Sequence, residues 1–250
     1  MHPVLFKLGD ISVSSYTVML IIGFLAAYLL CRAEFKRKGL SEDLFDFLFA
    51  ACVIGGLIGA KILFLIENVS FKEFIADPLR YRSAGLTCLG GLVGALILFW
   101  FIVKMKKVNF WLATDAMAPI VITYAIARIG CFLYGDDYGI PSNLPWAISF
   151  PEGSPPTNER VHPTQIYEML ITAGIFVYVW KIRKKNMPVG MLTAIVFILT
   201  GAERFLSEFL RNTTPSFIPG VSLAQLMSLG LVVAGVLKLL QLRMQTRELT

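Results

Sequence analysis

Charge is scarce in this sequence: Asp, Glu, Lys and Arg make up only 16% of its 250 residues, against 56% hydrophobic. A soluble domain of this length needs far more polar surface to cover itself. Cysteine is limited to Cys31, Cys52, Cys88 and Cys131, none in CxxC spacing, so a cysteine metal site has no signature. The four read instead as small buried hydrophobes. Histidine is rarer, with His2 at the amino terminus and His162 as the whole set. Alternating apolar and polar residues are also missing, which excludes a membrane-spanning barrel. Repeats and low-complexity stretches are absent.

What the chain has is apolar blocks of about 18–25 residues, the length an α-helix needs to cross ~30 Å of hydrocarbon. The expected class is all-α: a polytopic membrane protein of about seven transmembrane helices. They are placed near 15–32, 44–66, 86–103, 111–134, 163–181, 189–209 and 218–241. The first block follows a short polar stretch with no basic leader, so it reads as a helix that stays. The whole chain, 1–250, reads as a single membrane domain. A long proline-rich loop at 135–162 stands out, and loops of that length are functional or disordered.

The net charge of +6 raises nucleic acid as a partner, but the basic residues sit in short clusters between apolar blocks. That placement describes membrane topology and argues against a nucleic-acid face. One side collects fourteen: Arg32, Lys36, Arg37, Lys38, Lys104, Lys106, Lys107, Lys181, Arg183, Lys184, Lys185, Lys238, Arg243 and Arg247. The other has six: Lys7, Lys72, Arg80, Arg82, Arg160 and Arg211. The positive-inside rule puts the richer side in the cytoplasm. With an odd number of helices, the amino terminus is then outside and the carboxyl terminus inside.

Three basic residues remain, Lys61, Arg128 and Arg204, all inside apolar segments. A charge at membrane depth costs at least ~2.5 kcal/mol and faces a polar cavity or a partner. Lys61 is equally well read as a snorkelling or paired side chain. The arginines keep unusual company. Arg128 opens Arg128-Ile129-Gly130-Cys131-Phe132, followed by Tyr134-Gly135-Asp136-Asp137-Tyr138-Gly139. Arg204 stands beside Glu203 and one turn before Glu208. His162 opens His162-Pro163-Thr164-Gln165-Ile166-Tyr167-Glu168. Tyr16 begins the first helix, and Gly85, Gly90, Gly91 and Gly94 crowd the start of the third. In the expected topology all of these share the outer half of the membrane. The guanidinium fork grips phosphate in two places and stays charged when desolvated, so the constellation suits an anionic lipid. The glycines are also explained by close helix packing.

Taken together, these motifs resemble the bacterial prolipoprotein diacylglyceryl transferase family, over nearly the whole chain, from His2-Pro3-Val4-Leu5-Phe6 to Gln225. The resemblance implies transfer of the sn-1,2-diacylglyceryl group of phosphatidylglycerol to the lipobox cysteine thiol of prolipoproteins, the first step of lipoprotein maturation. It implies glycerol-1-phosphate as the other product, no cofactor and no metal. The implied partners are phosphatidylglycerol, prolipoprotein signal peptides and the bilayer. The implied place is the bacterial inner membrane, with the site towards the outer face. By the same resemblance Arg128, Arg204 and His162 are the catalytic candidates, the arginines neutralising the phosphate. Tyr16, Gly90, Gly91, Asp136, Gly139, Gln165 and Tyr167 are the substrate-binding candidates. The nucleophile is the substrate's own thiolate, and two arginines favour its ionisation. The chain departs from the family pattern at Leu89, where many members carry a histidine, and at Cys131, Tyr134 and Thr200. Two other readings compete: a catalytically silent paralogue binding anionic lipid or lipoprotein, favoured by Leu89, and an anion transporter, which needs a charged path to both faces.

The topology is tested directly by single-cysteine labelling. Ser154→Cys is expected to react with an impermeant maleimide from outside the cell and Lys184→Cys only from the cytoplasmic side. Labelling of both from one side refutes the arrangement.

Overall fold

The computed structural model describes residues 2–8, 11–69, 77, 81, 85, 87–211 and 220–248. The side chains of Leu8, Ile11, Cys88, Leu89 and 246–248 lie outside that set. So do Lys72, Arg80 and Arg82 of the six outer basic residues, and so the departure at Leu89 has no side chain to describe. The fold is mostly helical. In chain order the helices are α1 Ser15–Arg37, α2 Glu42–Asn68, α3 Cys88–Met105, α4 Phe110–Ala116, α5 Val121–Tyr134, α6 Thr164–Ile182, α7 Met191–Ser207 and α8 Leu223–Glu248. Two 3-10 turns, Ala118–Ile120 and Glu208–Leu210, follow α4 and α7.

Helices occupy most of each of the seven expected apolar segments: α1 runs on to Arg37, the fourth segment is divided between α4 and α5, and α8, expected at 218–241, is Leu223–Glu248. Three described helices, Ser15–Arg37, Glu42–Asn68 and Leu223–Gln245, are long and apolar enough to cross a membrane. A fourth span follows if α4 and the stretch Ala118–Tyr134, bent by 41°, count as one. That bend was not foreseen. It falls at Met117–Pro119, where proline cannot donate the backbone bond an uninterrupted helix requires. The purely helical expectation also needs amending, because two short antiparallel hairpins are present: β1 (Val4–Leu8) with β2 (Ile11–Ser14), and β3 (Ile148–Phe150) with β4 (Thr157–Val161).

The chain divides into two compact units, Arg32–Ala113 and Met1–Cys31 with Thr114–Thr250. In the first, α2 and α3 meet through glycine. A Cβ on Gly59 would stand 2.9 Å from Gly94 Cα, and one on Gly90 would stand 2.5 Å from Leu63 Cβ. Small residues four apart let two backbones touch, which is how helices gain contact where lipid removes the hydrophobic drive. Gly90 and Gly91 thus have a packing duty, Gly91 against Ala60 at 3.5 Å. Phe35 and Phe45, both fully buried, pack with tilted rings 5.0 Å apart where α1 turns into α2. Lys61 stands over the Phe64 ring at 5.8 Å.

In the second unit, α1 packs on α5: the Thr123 hydroxyl donates to Gly23 O at 3.1 Å, and a Cβ on Gly130 would stand 3.0 Å from Tyr16 Cα. The apolar core joins Val121 of α5, Ile175, Val179 and Ile182 of α6, and Leu192 and Val196 of α7. Asp115, 2% exposed, caps α7 from α4. Its carboxylate accepts from Gly190 N and Thr193 N at 2.8 Å and from the Thr193 hydroxyl at 2.6 Å. A buried carboxylate at a helix amino terminus satisfies orphan amides and complements the helix dipole. Asp115→Ala leaves those donors buried without an acceptor, so it is expected to destabilise the protein by about 3 kcal/mol. A fall in the thermal midpoint in detergent, with the fold otherwise kept, checks this; an unchanged midpoint refutes the cap.

Candidate functional site

α5 ends at Gly135, whose φ of +80° closes the helix as its amide bonds to Cys131 O at 2.8 Å. A side chain at that φ is strained, so glycine sets where the chain leaves the helix. The following segment is a built structure. Gly139 N bonds to His162 O at 2.9 Å, Ile140 N to Leu210 O at 2.9 Å and His162 N to Ile140 O at 3.0 Å. A Cβ on Gly139 would collide with Leu210 O and stand 2.9 Å from His162 Cβ, so the backbone approach itself demands glycine. The buried Phe150 ring stacks on Tyr138 at 5.3 Å, and the Arg160 guanidinium donates to Ala147 O and Pro145 O, both at 3.0 Å. The loop expected to be functional or disordered is ordered.

These elements bring three arginines onto one carboxylate. Glu168 of α6 is fully buried. Its Oε2 lies 2.6 Å from Arg128 Nε, and its Oε1 lies 3.4 Å from Arg204 and 3.2 Å from Arg211. The Tyr124 hydroxyl donates to Oε2 at 2.5 Å and receives from Arg128 at 2.8 Å, while the Arg128 guanidinium rides over the Tyr124 ring at 4.7 Å. A second carboxylate, Asp137, bridges Arg128 at 2.7 Å and Arg211 at 2.6 Å. A third, Glu208, holds Arg204 at 2.9 Å and accepts from Ser222 Oγ, just before α8, at 2.7 Å. Burial alone would raise the Asp137 carboxyl; the charges of Arg211 and Arg128 outweigh it and hold Asp137 below the usual carboxylate range. Its neighbour Asp136 moves the other way, lifted by burial and by the Asp137 charge. Burial disfavours the Arg211 cation, but Asp137 and Glu168 raise its affinity for the proton, so it stays charged.

The residues foreseen as catalytic or binding divide into three groups. Arg128 and Arg204 meet at Glu168. Asp136, Gly139, His162, Gln165 and Tyr167 belong to the loop and helix start that frame them. Gln165, fully buried, donates to Asp136 O at 2.6 Å, and Thr164 donates to Asp137 O at 2.9 Å. His162 Nδ1 is 3.4 Å from the Tyr167 hydroxyl, which also receives the Trp146 ring NH at 2.7 Å. Tyr16 contacts α5 through Gly130. Gly90 and Gly91 belong to the other unit, in its helix contact. Gln225 is engaged with Ser222, whose amide it accepts at 2.9 Å. Arg211, Asp137 and Tyr124 were not singled out. The spacing held a signal for one of them: Tyr124 is one turn before Arg128 on the same helix.

A cavity of about 380 Å³ opens against this cluster, lined by Asp136, Asp137, Gly139, Pro155, Glu159 and Arg211 among others. Cys131 Sγ, Asp136 and Asp137 place ligand atoms within 4.8 Å of one another. Arg128, whose Nη1 donates to Cys131 Sγ at 3.6 Å and to Asp137, puts a fixed cation in the same place, which opposes a metal ion there. An organic anion suits the arrangement better: the guanidinia are preoriented and largely dry, and Arg211, bridged to Arg128 by Asp137, lines the cavity.

The depressed Asp137 carboxyl predicts a pH effect. Its contribution to stability is complete above its unfolded pKa of ~3.9 and is lost as pH falls towards the lower folded value. Thermal midpoints of wild type and Asp137→Asn in detergent are therefore expected to converge as pH falls below about 4. A constant gap from pH 7 to 3 contradicts the ion pairs.

The sequence profile of the prolipoprotein diacylglyceryl transferase family matches residues 3–241. A phosphatidylglycerol–prolipoprotein diacylglyceryl transferase of Aeromonas salmonicida is 32% identical, covering 94% of this chain and 88% of its own. Proteins of the same description from Clostridium tetani (32% identical, 94% and 96% covered) and Thermotoga maritima (30%, 96% and 84%) are similar.

Proposed function

The chain belongs to the prolipoprotein diacylglyceryl transferase family, and on that premise we propose that it moves the diacylglyceryl group of phosphatidylglycerol onto a prolipoprotein. In finer detail, the acceptor is the thiol of a lipobox cysteine, the donor gives up its sn-1,2-diacylglyceryl group, and glycerol-1-phosphate leaves. The reaction is a substitution at carbon and takes no cofactor. Sulfur attacks the glyceryl carbon next to the phosphate, and the C–O bond breaks with its electron pair on the phosphate oxygen.

One observation carries the reading: guanidinia from separate elements converge on the two oxygens of a single small anion. Asp137 stands between Arg128 and Arg211 as two phosphate oxygens would, 2.7 and 2.6 Å away. Asp137 is partly exposed and Glu168 is not, so Asp137 is the carboxylate that yields to a substrate phosphate while Glu168 keeps the arginines aimed. Arg204, held by Glu168 and Glu208, completes the clamp. Donors fixed in a dry site before charge develops stabilise the departing phosphate without reorganisation. His162, Gln165 and Tyr167 hold the loop that carries Asp136, Asp137 and Gly139; Tyr16 is kept as a residue of the lipid site, while Gly90 and Gly91 serve the helix contact of the other unit.

An apolar groove of about 490 Å³ along α6 and α7, lined by Gly174, Ile175, Tyr178, Ile195, Ile198 and Leu199, supports the lipid assignment. Ile175 is seven residues beyond Glu168 and Leu199 five before Arg204, about 10 and 7.5 Å along the helix axes. An acyl chain hanging from a phosphate at the arginines reaches it. The same reading takes 1–250 as one integral membrane unit of seven spans. Its amino terminus is outside and its carboxyl terminus inside, in the bacterial inner membrane, with the clamp towards the outer face.

The test uses purified protein, phosphatidylglycerol and a lipobox peptide, and reads the thioether product. Arg128→Ala and Arg204→Ala are each expected to lose at least about 100-fold in transfer while inserting normally. Arg→Lys recovers little, because an ammonium lacks the planar fork. Near-normal turnover of both Ala variants refutes the clamp.

A further inference from the structure

The transfer reaction leaves a proton to be moved. A cysteine thiol has an ordinary pKa of ~8.5 and attacks as the thiolate. The three arginines are a weaker source of that ionisation than two bare guanidinia, because Glu168, Asp137 and Glu208 already pair them. The site therefore needs a proton acceptor, and its carboxylates are not equivalent. Glu168 is saturated by three arginines and Tyr124. Asp137 is held by two arginines, and Glu208 by Arg204 and Ser222. A carboxylate bound by cations gives up its basicity.

We propose that Asp136 is the proton acceptor for the substrate thiol in the transfer reaction. Asp136 makes no ion pair among the described residues; its carboxyl shares a hydrogen bond with the Cys131 thiol, its Oδ1 has no hydrogen-bond partner, and it lines the cavity that opens on the clamp. Its backbone is fixed at both ends of the peptide, the amide to Cys131 O at 3.2 Å and the carbonyl by Gln165 at 2.6 Å, so the carboxyl is positioned rather than loose. The groups facing it are Cys131 and Arg128 of α5, Asp137 beside it and Arg211 from the segment after α7, with Glu159 across the cavity. Burial and the Asp137 charge raise its pKa towards that of the thiol, as proton transfer from sulfur requires. Glu203, buried with its own unpartnered Oε1, does not line the cavity.

The step balances. The thiol proton passes to Asp136, sulfur forms its bond to the glyceryl carbon, and the C–O bond breaks towards phosphate. Asp136 then returns the proton to the departing phosphate oxygen, which leaves as glycerol phosphate with no net proton consumed. This assignment rests on the proposed transferase function.

The experiment measures thioether formation from phosphatidylglycerol and a lipobox peptide between pH 6 and 9.5. A phosphatidylglycerol-induced rise in the thermal midpoint serves as an independent sign of lipid binding. Asp136→Asn is expected to keep that rise and to lose about 30-fold in rate at pH 7, the inverse of the thiolate fraction of a thiol with pKa ~8.5. Its remaining rate climbs tenfold per pH unit up to the thiol's pKa of ~8.5 and approaches wild type above it. Asp136→Glu keeps the wild-type pH profile at a reduced rate. A wild-type rate at pH 7, or a loss equal at every pH, overturns Asp136 as the base. So does an Asp136→Glu profile that follows the thiol instead of the enzyme. If Glu203→Gln gives the pH-dependent loss and Asp136→Asn does not, the acceptor is Glu203 and the proposal is refuted. If wild-type protein forms no thioether at any pH, the transferase reading itself falls, an outcome separate from all of these.

Discussion

Everything at the charged end of the second unit depends on one fully buried carboxylate. Glu168 without its arginines would be a charge stripped of water, a state that costs several kcal/mol even after relaxation. The arginines without Glu168 would be like charges crowded together, Arg128 7% exposed and Arg211 nearly as buried. Each side makes the other tolerable, and the geometry follows from that. Arg128 comes from α5, Glu168 from α6, Arg204 from α7 and Arg211 from the turn after it. Satisfying the pair fixes how these elements stand at this end. At the opposite end of α7, Asp115 does the same for the α4–α7 junction. Between the two polar ends lies the apolar core of Val121, Val179 and Leu192, which packs but does not orient. Specificity of arrangement comes from the charges and contact area from the core.

The helices were legible because their signal is length and apolarity, which need no tertiary information. Arg128 and Arg204 were legible for the same reason, since a charge inside an apolar run demands an explanation. Glu168 was visible as part of a motif but not as the hub, because that role depends on three cations from other elements. Arg211 was hidden in the topology count: it lies just past the apolar run and was credited to the loop. Its place is set by the 3-10 turn Glu208–Leu210 that ends α7, after which the chain at Arg211 is extended, and the spacing from Arg204 did not announce that turn. Asp137 had no signal at all. Its function comes from a backbone with φ of +60°, which a sequence does not announce. The bend before α5 was within reach, since Pro119 is there to be read. The two hairpins were not, because each rests on strands of only three to five residues, too short for an alternating pattern to stand out. Gly90 carried two explanations in the sequence; the structure supplies the packing one, at Leu63 and Gly59.

Paired arginines look like a poor way to bind an anion, and the resolution is in which pairs are permanent. In the proposed reaction, a phosphate entering the cavity meets Arg211, which Glu168 holds and Asp137 bridges to Arg128. Replacing Asp137 by phosphate exchanges one anion for another, so the charge of the cluster changes little and desolvation is small. A bare arginine pair would bind phosphate more tightly in the ground state. It would also bind any other anion, and it would hold the product as firmly as the substrate, which lowers KM without raising kcat. A carboxylate that yields and returns weakens both bound states alike while leaving the clamp fixed for the charge that develops between them. The adjacent aspartates contrast accordingly: Asp137, spent on cations, is held ionised, while burial and then that charge keep Asp136 basic. Two carboxyls on one short turn are thereby driven apart, one suited to stand in for phosphate and the other suited to take a proton.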